Sequence, residues 1–599
     1  VRSPVLAGAR EFVEAAEAAG IPRGDYNGRD RGSAAGVVSL VQTSTRQGKR
    51  SSTYRAFLQG EAERRPNLAI ITGARATRVL LDGTPGQMEA KGIEYRTASG
   101  ETSVALARKE VIVSAGAVGS PHLLLLSGIG PQRELEAIGV PCLIHSPHVG
   151  KHLKDHIQVP LFFTAPGVGV PMQEVALSMG PSVLRRPAGP LPADPEDDGK
   201  MSADLQALKQ EAARRLAEWA TTGCGLVSSS LYDACAWFST GLADHHSHDA
   251  QIGFIPCGYT AELWHSHLNV DTALYFDDAS NRLAPDAECM IVLANPVLPH
   301  SEGEIVLESA DPTIHPAIRM NYFGDAHDMK VMLAVLRRTL EVVAHWPSHR
   351  TIGPLMVPPF LAQKHGYREG ATPSDALLED LALHFSLTVY HLTSTCRIGS
   401  VVDPRLRVAG VGKLRVADAS VMPNVVSGNT NAASIMIGEK AAEMVAADYG
   451  VKLAAFVGEP GSRLQDLATK YTAAWCSQNA ASVAAFFAED GSLTINDGPP
   501  SVGRTAISEA AQDFMTAFPD MVVTMDGIAL DGDCAVYRWT LTGKNTGPGG
   551  TGKAVHISGY EEWTIDSNGL IAQSKGHFDE AAYQRQLNAG IGESWPRPG

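Results

Sequence analysis

One run, Val111 to Pro131 (VIVSAGAVGSPHLLLLSGIGP), limits what this chain can fold into more than any other. It is long and uncharged, so the first question is whether it crosses a membrane. Spanning a bilayer needs a continuous apolar helix of about 20 residues. This run is broken: Pro121 stands in its middle, and Gly128, Gly130 and Pro131 close it. It reads instead as a short apolar strand ending in Ser114-Ala115-Gly116, followed by a helix opened by Ser120-Pro121, since proline suits a first helical turn. The minimal or missing Cβ at Ala115 and Gly116 lets a bound group approach the backbone.

A second stretch, His391 to Lys440, complements the first. It holds a histidine on a polar turn, a short strand ending in Asp418, and the small-residue loop GNTNAAS. That loop runs into a helix with Ile437, Ala441, Met444 and Val445 on its apolar face, at i, i+4, i+7, i+8 spacing. A helix start presents unpaired N–H groups and partial positive charge, which stabilise negative charge above it.

Both stretches resemble the glucose–methanol–choline (GMC) oxidoreductases. The first is similar to that family's second signature, GAxxSPxLLxxSGIGP. The second is similar to its C-terminal flavin-contacting segment, with an HxxxTCRxG turn and an NxNA loop. The resemblance implies FAD as cofactor, with His391 and Asn431 as the active pair. It further implies that Ala115, Asp418, Ala419, Asn431, Ala432 and Ala433 lie against the flavin. NLAIITGARATR (Asn67 to Arg78) is similar to the family's LxVxTGAxVxRI, which sets Ala76 near the adenine. TSTRQGKRSSTYRAFL and VGKHLKDH also match family patterns, the latter with Lys151 and His152 where an Arg/Asn pair is usual. In PHSEGEIVLESADPTIHPAIRMNYF, Glu302 replaces the usual arginine. No GxGxxG follows a strand near the N-terminus. The βαβ unit that sets a helix N-terminus on the FAD pyrophosphate is therefore expected to be missing, and the flavin domain to be N-terminally incomplete.

Bulk properties narrow the partners. At 599 residues and roughly 100–200 residues per domain, the chain should hold three or four packing units. It is 44% hydrophobic and 19% charged, as soluble globular chains are. A net charge of −15 without any basic run argues against nucleic acid or an anionic membrane surface. The eight cysteines show no CxxC or other metal-like spacing and read as reduced, buried small hydrophobes. With neither a signal peptide nor a transmembrane segment recognised, a cytoplasmic enzyme is the expectation. The cluster DHHSHD (Asp244 to Asp249), with His265 and His267, reads as a solvated loop, so no metal site is assigned.

The expected organisation is an α/β flavin-binding domain (1–158), an α+β antiparallel-sheet substrate domain (159–382), a returning flavin-domain segment (383–451), and a linker (452–463). From Leu464 onward helices come first and strands follow. The segment up to Asn588, with its closing GHFDEAAYQRQL, resembles the SnoaL-like polyketide or ester cyclase family. That implies a third, cone-shaped α+β domain of the nuclear-transport-factor-like kind (464–594). The resemblance assigns Asp579, with His577 beside it, as acid/base in an apolar pocket, or else leaves the pocket to ligand holding or homodimerisation.

The implied chemistry is oxidation of an alcohol CH–OH by hydride transfer to FAD. His391, with an ordinary pKa near 6.5, takes the hydroxyl proton and Asn431 donates to the developing alkoxide. The electron acceptor is oxygen or a quinone-type molecule, and likeness to choline-dehydrogenase-type members favours a dehydrogenase. Choline itself is not implied, since no aromatic cage with a carboxylate stands out. Two other readings stay open: an inactive oxidoreductase remnant whose working part is the C-terminal module, and a nucleotide-binding piece supplied by a separate chain.

Overall fold

The computed structural model describes residues 7–27, 35–46, 49–60, 62–169, 210, 213–217, 219–221, 226–243, 248–257, 288–451, 460–531, 534–566 and 569–591. The chain divides into two compact units, Val1–Gly450 and Val451–Gly599.

The first unit has two cores. One surrounds a six-stranded antiparallel sheet in the order Val37–Leu40, Ala234–Phe238, Ala250–Ile255, Cys289–Pro296, Ile157–Thr164, Leu387–Thr388. Every residue of Cys289–Pro296 is buried, which explains why that stretch does not alternate: a strand covered on both faces needs apolar residues throughout. The helix Ala326–Ala344 is capped by Asp325, which accepts from the His327 N–H, and lays Val331, Met332, Val335, Leu336 and Val342 into this core. So does the helix Ala7–Ala18, through Phe12, Ala15 and Ala16, with Phe12 stacked on Phe254 at 5.4 Å. This corrects the expected boundary. The first helix and the strand Val37–Leu40 pack with the antiparallel substrate-side sheet, not with the flavin-side strands that follow them in sequence.

The second core holds the flavin-side elements. The strands Ala74–Asp82, Met88–Thr97 and Thr102–Leu106 form an antiparallel meander. Val111–Val113 pairs in parallel with Leu414–Val416, so the two signature stretches meet edge to edge. The helix after the first of them runs from Gly116 to Leu126, with Pro121 inside it. Proline cannot donate to the carbonyl four residues back. That carbonyl, on Ala117, accepts from the Thr395 hydroxyl at 2.6 Å instead. The HxxxTC turn thereby satisfies the oxygen that the proline abandons.

The second unit is a six-stranded, mostly antiparallel sheet. Its order is Ser501–Val502, Phe487–Ile495, Ile571–Phe578, Ala554–Ile565, Cys534–Lys544, Val522–Asp531. Register shifts at Met525/Gly527 and Thr564/Ile565 are the irregularities that bend such sheets. The helices Pro460–Cys476 and Gly503–Ala517 accompany the sheet, and Tyr471, Phe487, Phe518, Tyr537 and Trp563 fill the core. This agrees with the expected α+β cone. None of the seven described cysteines forms a disulfide, and among the described residues no helix is long and apolar enough to cross a membrane.

Candidate active site

Strand pairing brings two histidines together. Ile157 lies opposite Thr388 and Lys154 opposite Thr393, which sets His156 against His391. Their rings meet edge on at 5.0 Å, with the two Nδ1 atoms 3.0 Å apart. One of these nitrogens must carry the proton, and the other end of His156 decides which. Its Nε2 lies 2.9 Å from the Val297 carbonyl oxygen, which can only accept. A neutral imidazole has one donor and one acceptor. His156 therefore donates from Nε2 and accepts at Nδ1, so His391 donates from Nδ1. The Nε2 of His391 is left unprotonated, as an acceptor.

Burial keeps both rings neutral. His156 is fully buried and its pKa is pushed down to about 3 by desolvation, helped by the neighbouring His391; desolvation takes His391 down to about 4. Below them lies Asp155, which accepts the His391 backbone N–H at 2.9 Å and the hydroxyls of Tyr322 and Thr388 at 2.6 Å each. Tyr390, just before His391, is 83% exposed and has φ 61°. This left-handed conformation is costly for a non-glycine residue.

The partner of His391 is Asn429, not Asn431. Asn429 Nδ2 lies 3.3 Å from His391 Nε2. The helix Thr430–Asp448 starts one residue later, so Asn429 is its N-cap and Asn431 falls in its first turn, exposed. An N-cap asparagine ordinarily accepts a hydrogen bond from the helix's own N–H groups. Asn429 makes no such bond; its side chain turns to His391. The motif NTN offers two asparagines, and only the helix start distinguishes them.

The remaining sequence-assigned positions divide. Ala76, Ala115 and Ala432 are exposed, and Ala419 and Ala433 are partly covered. A Cβ added at Gly116 would meet nothing within 4 Å, so small side chains do border open space at the start of the helix Gly116–Leu126. These residues fit the edge of a flat, bulky cofactor. Asp418 does something more structural. Its Oδ2 accepts from the Gly116 N–H at 2.9 Å and from the Ser120 hydroxyl at 2.5 Å, and its Oδ1 caps Ser420 at 2.8 Å. It ties the two signature stretches together next to Ala115.

The unusual charges Lys151, His152 and Glu302 compensate one another's neighbourhood. His152 Nδ1 meets Glu302 at 2.5 Å, Arg397 reaches the same carboxylate at 3.3 Å, and Lys151 bridges Glu134 and Glu304. Glu302, where the family has arginine, thus meets His152, Arg397 and Lys154, while Lys151 pairs elsewhere.

In the second unit Asp579 borders an open cleft with His577 and Tyr560, not the apolar cavity. Asp579 is exposed and caps the helix Glu580–Ala589, accepting from the Ala582 N–H at 2.8 Å. The apolar cavity is lined by Glu561 together with Trp475, Leu493, Ile495, Phe514, Val523, Tyr537, Trp539, Leu541, Gly576 and Phe578. Trp563 Nε1, the Ser574 hydroxyl and the Tyr471 hydroxyl all donate to Glu561 Oε2, at 2.8, 2.7 and 3.2 Å. Burial pushes the Glu561 carboxyl up, against those three hydrogen bonds. Asp244 to Ser247, His265 and His267 lie outside the described residues, and among the described residues no cluster of metal-ligating side chains occurs.

Comparison with known proteins bears on the family and the fold. The GMC oxidoreductase profiles match residues 4–158 and 299–438, and the SnoaL-like polyketide cyclase profile matches 465–587. An uncharacterised GMC-type oxidoreductase of Mycobacterium bovis is 34% identical over 450 residues, covering 74% of this chain and 69% of that protein. An alcohol dehydrogenase (acceptor) of Pseudomonas putida is 31% identical, covering 73% and 68%. An oxygen-dependent choline dehydrogenase of Citrobacter koseri is 30% identical, covering 72% and 66%. A formate oxidase structure from Aspergillus oryzae covers 75% of this chain and 72% of its own, with TM-score 0.55 at 23% identity, a likeness of fold. GMC oxidoreductases are FAD-binding flavoproteins. With a SnoaL-like domain at its C-terminal end, the chain belongs to the GMC oxidoreductase family.

Proposed function

We propose that the Val1–Gly450 unit oxidises the CH–OH group of a small alcohol. The observation that supports this most directly is the unprotonated Nε2 of His391, which accepts from Asn429 Nδ2. FAD, when bound, supplies the hydride acceptor. An alcohol holding its proton is a poor hydride donor, so the chain's task is to remove that proton as the hydride leaves. His391 Nε2 accepts it. The Asn429 N–H, which points at that nitrogen, then donates to the substrate oxygen as negative charge grows there. His156 keeps the His391 proton on Nδ1, so the accepting nitrogen faces outward. Asp155 holds the His391 backbone. Asp418 fixes Ala115 and Gly116, and the first turn of Thr430–Asp448 adds partial positive charge nearby.

The names of the relatives, an alcohol dehydrogenase and a choline dehydrogenase, favour an alcohol substrate and a dehydrogenase with a quinone-type or oxygen acceptor. The test is anaerobic mixing of flavin-loaded protein with a panel of alcohols. Bleaching of the flavin absorbance in the parent and its loss in His391→Ala are the expected results. Unchanged bleaching in His391→Ala would overturn the assignment.

For the second unit, we infer a small-molecule-binding pocket around Glu561 as the working site. Asp579, at the end of the inner strand Ile571–Phe578, caps the helix that follows.

A further inference from the structure

The cavity of the second unit has an unusual combination of walls. Five of its lining residues, Trp475, Phe514, Tyr537, Trp539 and Phe578, are aromatic, and Glu561 is the sole ionisable acid or base among them besides the Tyr537 phenol. Glu561 is buried, and among the described residues no lysine, arginine or histidine pairs with it. Buried carboxylates are normally matched by a cation or a metal. Here the protein supplies three neutral donors, all to Oε2, and aromatic faces around the remaining space. Faces of aromatic rings attract cations through the ring quadrupole, and a desolvated aromatic box suits ammonium groups whose methyl substituents also fill apolar space.

Size agrees. The cavity volume is about 60 Å³, room for about four to six water-sized groups at roughly 10–15 Å³ each, which is the bulk of a trimethylammonium head. An anion is disfavoured by Glu561. A neutral hydrocarbon would fill the box but leave Glu561 in the protonated form that burial favours, whereas a cation beside it favours the ionised carboxylate.

We propose that this cavity binds a small methylated ammonium ion, with Glu561 as its counter-charge and the five aromatic side chains as its cage. The proposal rests on reading the second unit as a small-molecule-binding module and names the class of ligand. It does not depend on flavin chemistry in the first unit.

The test is calorimetric titration of the full chain with (2-hydroxyethyl)trimethylammonium chloride and, separately, with 3,3-dimethylbutan-1-ol, its uncharged carbon isostere. The cation should bind at least about 10-fold more tightly than the isostere. Glu561→Gln, which keeps an oxygen for Trp563, Ser574 and Tyr471, should remove most of that preference. Equal or tighter binding of the isostere overturns the ligand class while leaving the pocket reading intact; binding of neither overturns both. Unchanged cation affinity in a Glu561→Gln protein with parental circular dichroism places the cation elsewhere and also overturns the proposal. Should Glu561→Gln fail to fold, the comparison of the two ligands on the parent chain decides alone.

Discussion

His391 and Glu561 are both ionisable side chains withdrawn from water, and burial pushes each toward its neutral form. The outcomes differ because of which atom is left over. In the first unit a relay through His156 to the Val297 carbonyl uses the inner nitrogen of His391 and leaves the outer one unprotonated, next to an asparagine at a helix start. That arrangement suits taking a proton and releasing it. In the second unit three donors converge on one oxygen of Glu561 beside an aromatic-lined cavity. That arrangement suits holding a ligand. Burial alone does not predict whether an acidic or basic group transfers protons; the allocation of its lone pairs does.

The contrast breaks most readily at His391. Replacing it by alanine should reduce flavin-dependent turnover at least about 100-fold, the lower range for losing a general base, as read by anaerobic stopped-flow reduction. Asn429→Ala should cost about 100-fold in the same measurement, as removal of a donor to a developing oxyanion does. Asn431→Ala should stay within about 3-fold, because its exposed side chain reaches neither histidine. A reversal of those two results would return the role to Asn431.

The pH profile sharpens the comparison. With its pKa held near 4, His391 is already a free base at pH 6, so the reduction rate should stay flat from pH 8 down to about 5 and fall as pH drops through about 4. His156→Phe, which removes the acceptor for Nδ1, should lower the rate about 10-fold and alter the acid limb of the profile. A variant that merely loosened the fold would leave the position of that limb unchanged.

Stability should depend on pH in opposite directions in the two units. The neutral histidine pair has folded pKa values below the unfolded value near 6.5. The unfolded chain binds more protons there, so the contribution is fully present above about 6.5 and is lost as pH falls toward 4 and 3. Glu561 is the mirror case. Its folded pKa is raised, so its contribution is present at low pH and is lost as pH rises through the folded value. Scanning calorimetry across pH should resolve opposite slopes, with His156→Phe flattening one and Glu561→Gln the other. Thr395→Val offers a smaller check on the first unit. It strands the Ala117 carbonyl and should cost about 1–3 kcal/mol, seen as a lower melting temperature.

Much of this was legible in sequence because it depends on local spacing. The strand Val111–Val113 and a helix after each small-residue turn form as their small and apolar residues suggest, but both helices begin earlier than expected: one at Gly116, with Pro121 inside it and not opening it, the other at Thr430, inside GNTNAAS. What failed depended on register or on distant pairing. Choosing between Asn429 and Asn431 required knowing that the helix begins at Thr430. Assigning Val37–Leu40 to the antiparallel sheet required its partner Ala234–Phe238, almost 200 residues away. Glu561 was overlooked although a signal existed. Val555, Ile557, Glu561 and Trp563 are buried on alternate positions of Ala554–Ile565, so a carboxylate sits where the pattern calls for an apolar side chain. Asp579 drew attention instead by its place beside a strand end, where capping a helix is its physical task.

The hydroxyl of Thr395 and the carbonyl of Ala117 are separated by 278 positions along the chain, yet they share one proton. A bulky planar molecule settling beside Gly116 would press on a helix whose weakest point is braced by the very turn that carries the base. Removing the threonine alone would leave the carbonyl that the proline abandons without this donor.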